Sequence, residues 1–257
     1  MKVLCESIPE IDRYIQNKKH LFLRDYEVNF REYLAVIRRF ITIEEDTKIL
    51  EIGTGTGWFP ILCQMEGISC KGLEISPQLI AYARELGRPL GIEPDIELGN
   101  IEERSIGTEL YDVIIAQSVF EHVEYWEKAI QNVFSALRPG GLFLFSSTNK
   151  FSFVSGEHNF PLYGWLPNRW RYRLRIARQG PEIMKLGIDF NQFTYPQLRR
   201  TFKKVGFSRV LDRVEISSPD QVACPWKRAV LRACKRVRLL KKFVLCFSHL
   251  TTFACTK

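Results

Sequence analysis

Lys48-Ile-Leu-Glu-Ile-Gly-Thr-Gly-Thr-Gly57 is the stretch that decides the fold of this chain. Its first half is a short apolar run. Its second half sets Gly53, Gly55 and Gly57 at alternate positions. An apolar run closed by glycines reads as a buried strand followed by a turn. Glycine adopts backbone angles that other residues avoid, and it lets a ligand approach the main chain closely. A helix opened by such a turn aims its free N–H groups at the same spot. A dinucleotide fingerprint would place its third glycine at position 58, where this chain has Trp58.

The flanking sequence keeps a strand–helix rhythm. Residues 58–65 read as a helix and 69–74 as a second strand that ends on Glu74. Ser76-Pro77 opens a helix to about position 86, with Ser as the cap and Pro in the first turn. Residues 96–98 make a third strand. The continuous, β-branched run 111–117 makes a fourth, of the kind buried on both faces. A helix over 125–137 is stopped by Arg138-Pro-Gly-Gly141, and 142–146 is a fifth strand. Alternating strands and helices imply crossover connections and a parallel sheet. After Asn149 the rhythm breaks, and it returns with a helix over 194–205 that Gly206 ends. Residues 207–216 are the expected sixth strand and 249–256 the last. Ahead of all this, 11–43 reads as helical, with Tyr26, Phe30, Tyr33, Leu34, Ile37 and Ile41 recurring at spacings of three and four.

Charge is unevenly placed. The 257 residues hold 37 Lys and Arg against 29 Asp and Glu, a net +8. Residues 218–257 carry nine bases and one acid, Asp220, so the remainder balances at 28 against 28. A neutral body with one basic segment is unlike a general nucleic-acid coat. The composition, 46% hydrophobic and 26% charged, is that of a globular chain. No apolar run approaches the roughly 20 residues of a membrane span. Met1-Lys-Val-Leu-Cys-Glu6 lacks the apolar core of a secretory leader, so a cytoplasmic protein is expected. The seven scattered cysteines form no C-x-x-C pair and read as reduced thiols.

On one helix over 226–247, Trp226, Ala229, Val230, Ala233, Val237, Leu240, Val244 and Phe247 would form an apolar stripe opposite Lys227, Arg228, Arg232, Lys235, Arg238 and Lys242. Four readings stand for this segment. The stripe packs on its own domain, or 222–247 lies on an anionic membrane with Trp226 and Phe243 dipping in. The other two are a partner protein's groove and nucleic acid, which the neutral body disfavours. Nothing in the sequence bears on oligomeric state.

Five motifs in order carry a family resemblance. They are Leu50-Glu-Ile-Gly-Thr-Gly-Thr-Gly57, Gly72-Leu-Glu-Ile-Ser76, Gly99-Asn-Ile-Glu-Glu103, Tyr111-Asp-Val-Ile-Ile-Ala-Gln-Ser-Val-Phe-Glu-His-Val123 and Leu137-Arg-Pro-Gly-Gly-Leu-Phe-Leu144. Through them the chain resembles the class I S-adenosylmethionine-dependent methyltransferases. Glu-His-Val after strand four and Ser-Ser-Thr-Asn after strand five look like the ubiquinone-pathway O-methyltransferases. The resemblance implies one α/β domain with a Rossmann-like, seven-stranded, mostly parallel sheet. Helices cover both faces and the last strand is antiparallel. The parts would be an N-terminal helical cap over 1–43, a cofactor-binding core over 47–149, and an acceptor-site insertion over 150–190. A helix and strand six over 191–217, a basic insertion over 218–248 and a last strand over 249–257 complete it.

The implied cofactor is S-adenosylmethionine. By resemblance Glu51 lies near its amino end, and Gly53, Thr54, Gly55 and Gly57 wrap it. Glu74 holds the ribose hydroxyls and Ile75 packs on the adenine. Asn100, standing where the family has Asp, accepts from the adenine amine with Ile101 beside it. The Gln117 backbone meets the methionine part.

A hydroxyl acceptor also needs its proton removed. His122 is the candidate base, and a packing role under the cofactor is the alternative. His158, in the insertion, is a weaker second candidate beside a solvated loop histidine. No metal site is expected, because Ser118 replaces the family's first acid and Glu121-His122 alone suits a hard cation poorly. Arg169 to Arg178 can clamp an anionic acceptor or form a solvated helix face. The expected reaction is methylation of a small-molecule or lipid-linked hydroxyl. The alternatives are an RNA or protein methyltransferase and a non-catalytic cofactor-binding regulator.

Overall fold

The computed structural model describes residues 9–103, 105–153, 161–181 and 191–257. Seven strands form one sheet. They are β1 (Ile49–Ile52), β2 (Cys70–Glu74), β3 (Ile96–Leu98), β4 (Tyr111–Gln117), β5 (Leu137–Thr148), β6 (Arg209–Asp212) and β7 (Leu250–Thr256). The spatial order is β3-β2-β1-β4-β5-β7-β6. The pairs among β1 to β5 are parallel, and β7 runs antiparallel to both β5 and β6.

Period-two alternation sorts the core into two layers. Ile49, Val113, Ile115, Leu142, Leu144 and Ala254 point to one face. There they meet Phe30, Leu34 and Ile37 of α2 (Glu27–Ile37) and Phe59 and Leu62 of α3 (Trp58–Met65). Leu50, Ile52, Ile114, Ala116, Phe143, Phe145, Phe253 and Cys255 point to the other. They meet α5 (Trp126–Ala136) and α7 (Tyr195–Val205) in an aromatic cluster that includes Phe202 and Phe207. Each fully buried Phe contributes roughly 1.5–3 kcal/mol through apolar burial. By the same alternation Glu51 lies on the α2–α3 face.

The caps form as expected. The Ser76 hydroxyl accepts from the Leu79 N–H at 3.3 Å and opens α4 (Pro77–Gly87). Thr194 caps α7, which ends at Gly206 with φ +119°. The six described cysteines are free thiols.

Four expectations are corrected. Residues 11–43 are not one helix: α1 (Pro9–Lys18), a 3-10 turn at Leu23–Tyr26 and α2 replace it, with α2 packed on α3 and α1 on the helix after β2. Strand six stops at Asp212. The Asp212 carboxylate accepts from the Val214 and Glu215 N–H groups and starts α8 (Arg213–Ile216) where a strand was expected. The arginine-rich stretch is a helix, α6 (Asn168–Gln179), yet not merely a solvated face. Arg171 and Arg175, one turn apart, are buried, and the Arg171 guanidinium lies over the Tyr163 and Tyr172 rings.

The basic segment is two helices, α9 (Pro225–Arg236) and α10 (Arg238–Phe247), parted by an extended Val237. The break restarts the helical phase, so the stripe drawn on a single helix is split and, of its members, Val244 packs inward while most others do not. Trp226, Val230, Val237 and Leu240 are exposed, while Leu231, Cys234, Val244 and Leu245 pack inward. Electrostatics fixes that phase: Lys241 turns in to ion-pair with Asp212 at 2.7 Å and Glu215 at 2.9 Å. The Asn149 amide, just past β5, donates to the Leu245 and Ser248 carbonyls and ties down the end of α10. Packing on its own domain therefore holds, through a different face. Among the described residues no helix is long and apolar enough to cross a membrane.

Candidate active site

The three glycines of the turn after β1 all have positive φ, +67° at Gly53, +56° at Gly55 and +72° at Gly57. They are not equivalent. A Cβ on Gly53 would lie 2.4 Å from Val119 Cγ2, and one on Gly57 would lie 2.5 Å from the Ala83 Cβ. Those two close the turn against the loop after β4 and against α4. Among the described residues a Cβ on Gly55 would meet only the Tyr14 hydroxyl, at 3.4 Å, so the backbone there faces an open side.

Glu74 sits at the end of β2 beside this opening. Its Oε2 accepts from the Gly55 N–H at 2.9 Å, and its Oε1 accepts from the Ile75 and Ser76 N–H groups at 2.9 and 3.1 Å. Burial pushes its carboxyl upward in pKa, against the pull of those donors. Glu51 is also buried. Among the described residues its Oε2 has no hydrogen-bond partner, and desolvation raises its pKa well above the ordinary carboxylate range, with the nearby Glu74 adding to the shift.

Three tyrosines of the N-terminal helices gather near the turn, two of them, Tyr14 and Tyr33, beside the acids. Tyr26 stacks on Trp58 at 5.1 Å. Tyr33 is raised in pKa by burial and by Glu51. Tyr14 is 42% exposed, and its hydroxyl lies toward the Gly55 backbone, where burial first and then the nearby Tyr26, Glu74 and Glu51 push its pKa to about 12. Ile75 is half-buried and packs with Ile11 and Ile15 of α1. An orphaned buried carboxylate oxygen beside an open glycine backbone suits a ligand with a cationic amine and vicinal hydroxyls.

The remaining expected residues lie along the same carboxyl edge of the sheet. Asn100 is buried after β3, where its Oδ1 accepts from the Glu102 N–H at 3.0 Å. Ile101 is buried in the main core. The Gln117 side-chain carbonyl accepts from the Ser146 hydroxyl. Ser118 follows with φ +53°, a left-handed conformation that costs a non-glycine residue about 1–2 kcal/mol. His122 is half-buried at the end of a 3-10 turn, Phe120–His122. Its neighbour Glu121 is fully buried and is committed to the Ser147 hydroxyl at 2.8 Å and the Thr148 N–H at 3.3 Å. His158 lies outside the described residues. A separate cavity of about 320 Å³, lined in part by Lys71, Glu97 and Tyr111, contains none of these groups.

The structure thus brings Glu51, Thr54, the three glycines and Glu74 together, with Asn100, Gln117 and His122 along the same edge. Sequence reasoning missed Tyr14, Tyr26 and Tyr33. Two of these appeared there only as members of an apolar period, which carries no sign of where a hydroxyl points. It also missed Glu102, a buried acid that holds both Asn100 and, at 2.8 Å, the Tyr125 N–H.

Comparison with known proteins agrees with this architecture. A methyltransferase domain family matches residues 23–211. A ubiquinone biosynthesis O-methyltransferase of Parvibaculum lavamentivorans is 26% identical over 177 residues, 65% of this chain and 69% of that one. Among solved structures, an S-adenosylmethionine-dependent methyltransferase from Mesorhizobium loti superposes with a TM-score of 0.56 at 17% identity, over 87% of this chain and 96% of that one. The phosphoethanolamine N-methyltransferase 2 of Haemonchus contortus, in complex with S-adenosyl-L-methionine, superposes at 0.55 and 18%, over 88% of this chain and 52% of that one. The sheet order, the glycine turn and the family match together make this chain a member of the methyltransferase-domain family, a class I S-adenosylmethionine-dependent methyltransferase.

Proposed function

We propose that this protein transfers a methyl group from S-adenosylmethionine to a hydroxyl oxygen of a small or lipid-linked acceptor. The observation that carries the cofactor half is the Glu74 carboxylate hydrogen-bonded to the open Gly55 backbone. Similarity to proteins named ubiquinone biosynthesis O-methyltransferases supports oxygen as the acceptor atom.

When bound, the cofactor supplies an electrophilic methyl on a sulfonium, which is the difficult part of the chemistry. This chain binds and orients it. Glu51, desolvated and short of a partner, receives the cationic amine. Glu74 exchanges its backbone donors for the ribose hydroxyls. Ile75 and Ile101 flank the adenine and Asn100 Oδ1 accepts from its amine. Thr54 and the glycines line the path, and the Gln117 backbone contacts the methionine part. Holding an acceptor oxygen in line with the methyl is an orientation effect worth several kcal/mol. His122 takes the hydroxyl proton as the oxygen becomes the nucleophile.

The test is transfer of radiolabelled methyl from S-adenosylmethionine into fractionated cell extract, followed by identification of the labelled product. An alkali-stable methyl ether is the expected product. A labelled amine, RNA or protein would refute the acceptor assignment. With an acceptor in hand, His122→Ala should lose roughly 10²–10⁴-fold in kcat. Normal turnover by that variant would refute its role as the base.

A further inference from the structure

Phe151 and Phe153 leave the carboxyl end of β5, the edge of the sheet that carries the glycine turn and His122. They meet Trp165 and the end of α10 in one aromatic cluster. Ring centroids lie 5.3 Å apart for Phe151 and Trp165, 5.7 Å for Phe153 and Phe247, and 4.8 Å for Phe243 and Phe247. This cluster is not a core. Phe153 is 57% exposed, Trp165 41% and Phe243 62%. One helical turn before Phe243, Leu239 is 79% exposed. Positions 239, 243 and 247 share one side of α10.

The rim of the patch is cationic. Arg238 and Lys242 are exposed on α10, as are Lys235 and Arg236 at the end of α9. The only acid of the segment, Asp220, pairs with Arg232 at 3.5 Å. The inward cation, Lys241, is already committed to Asp212 and Glu215. A contiguous exposed apolar patch is uncommon on a free protein surface and marks a contact. Aromatic rings and leucines ringed by Lys and Arg match the boundary between acyl chains and anionic headgroups. Nucleic acid would use the cations but would leave Leu239 without a partner.

We propose that α10 and the aromatic edge dock on an anionic lipid bilayer, and that the acceptor reaches the active site from that bilayer. The second half rests on the O-methyltransferase reading; the first half does not.

The experiment is co-sedimentation of the full chain with vesicles of phosphatidylcholine alone or mixed with phosphatidylglycerol. Two paired variants serve, Leu239→Ser with Phe243→Ser and Arg238→Glu with Lys242→Glu. All four residues are exposed, and melting temperature and S-adenosylhomocysteine binding should match the parent protein. The parent is expected to sediment with the mixed vesicles and to be released by salt. The charge variant should lose more than tenfold, since each lost cation weakens such binding about fivefold. The apolar variant should lose binding at all salt concentrations. A parent protein that ignores anionic vesicles, or an apolar variant that binds them as the parent does, would overturn the proposal. Vesicle binding by a chain that takes no S-adenosylhomocysteine would support the docking surface and overturn the methyl-transfer reading alone.

Discussion

At the glycine turn the acids are inside and bare backbone faces the opening; at α10 the rings and cations are outside and a single lysine is inside. The two regions sit on the same edge of one sheet. The turn is built from closely packed glycines and two buried carboxylates, Glu74 with both oxygens committed to backbone donors and Glu51 with one oxygen orphaned among the described residues, so small changes there should act strongly on one ligand. The α9–α10 segment is held by a few polar anchors, Lys241 and the Asn149 amide, and shows the rest of its surface. Its side chains can change with little effect on the fold. A site that must recognise one molecule is rigid and inward. A surface that must meet a fluid partner is outward and tolerant.

The sharpest way to break this contrast is Gly53→Val. It combines a left-handed backbone with a 2.4 Å approach to Val119, so it should cost about 2–5 kcal/mol of stability from strain and overpacking. Urea denaturation measures it. A loss under about 0.5 kcal/mol would mean that the turn is not packed as described. Lys241→Ala tests the anchor of the other region. It removes a partner from Asp212, whose side chain is fully buried, and should cost about 1–3 kcal/mol, with Arg199 and Tyr195 retaining part of the compensation. If stability is unchanged, the basic segment is not fixed by that ion pair.

Glu51→Gln sharpens the comparison through pH. The folded protein holds the Glu51 carboxyl well above its ordinary value near 4.5. Its contribution to stability is therefore fully present below that ordinary value and is lost as pH rises through the raised one. Without ligand, the Gln variant should lack this decline and be more stable than the parent at neutral pH, while binding S-adenosylmethionine more weakly. Denaturation curves over a pH series check both signs. A parent protein whose stability rises across the same interval relative to the variant would contradict the desolvated carboxylate.

Much of the fold was legible because its signals are local. The continuous β-branched run 111–117, the Ser76-Pro77 start and the Gly206 stop each act within one element, and all three elements form where expected. The glycine turn and Glu74 were legible for the same reason, since both sit at strand ends whose position follows from pattern. What escaped depends on contacts between distant residues. The phase of α10 is set by Asp212, 29 residues before Lys241, and no periodicity records it. The Asp212 cap cut strand six short although 213–216 reads as β-compatible. The inward turn of Arg171 depends on the aromatic rings of Tyr163 and Tyr172, and the tyrosines beside Glu51 and Glu74 depend on where the cap docks.

The central claim is that the cleft between the Gly53–Gly57 turn and Glu74 holds the cofactor. Calorimetric titration of S-adenosylhomocysteine into the parent chain and Glu74→Ala tests it most directly. The parent should bind at micromolar strength, and the variant should bind about 10- to 100-fold more weakly, the worth of hydrogen bonds to one charged carboxylate. No binding by the parent, or equal binding by the two, would contradict the account.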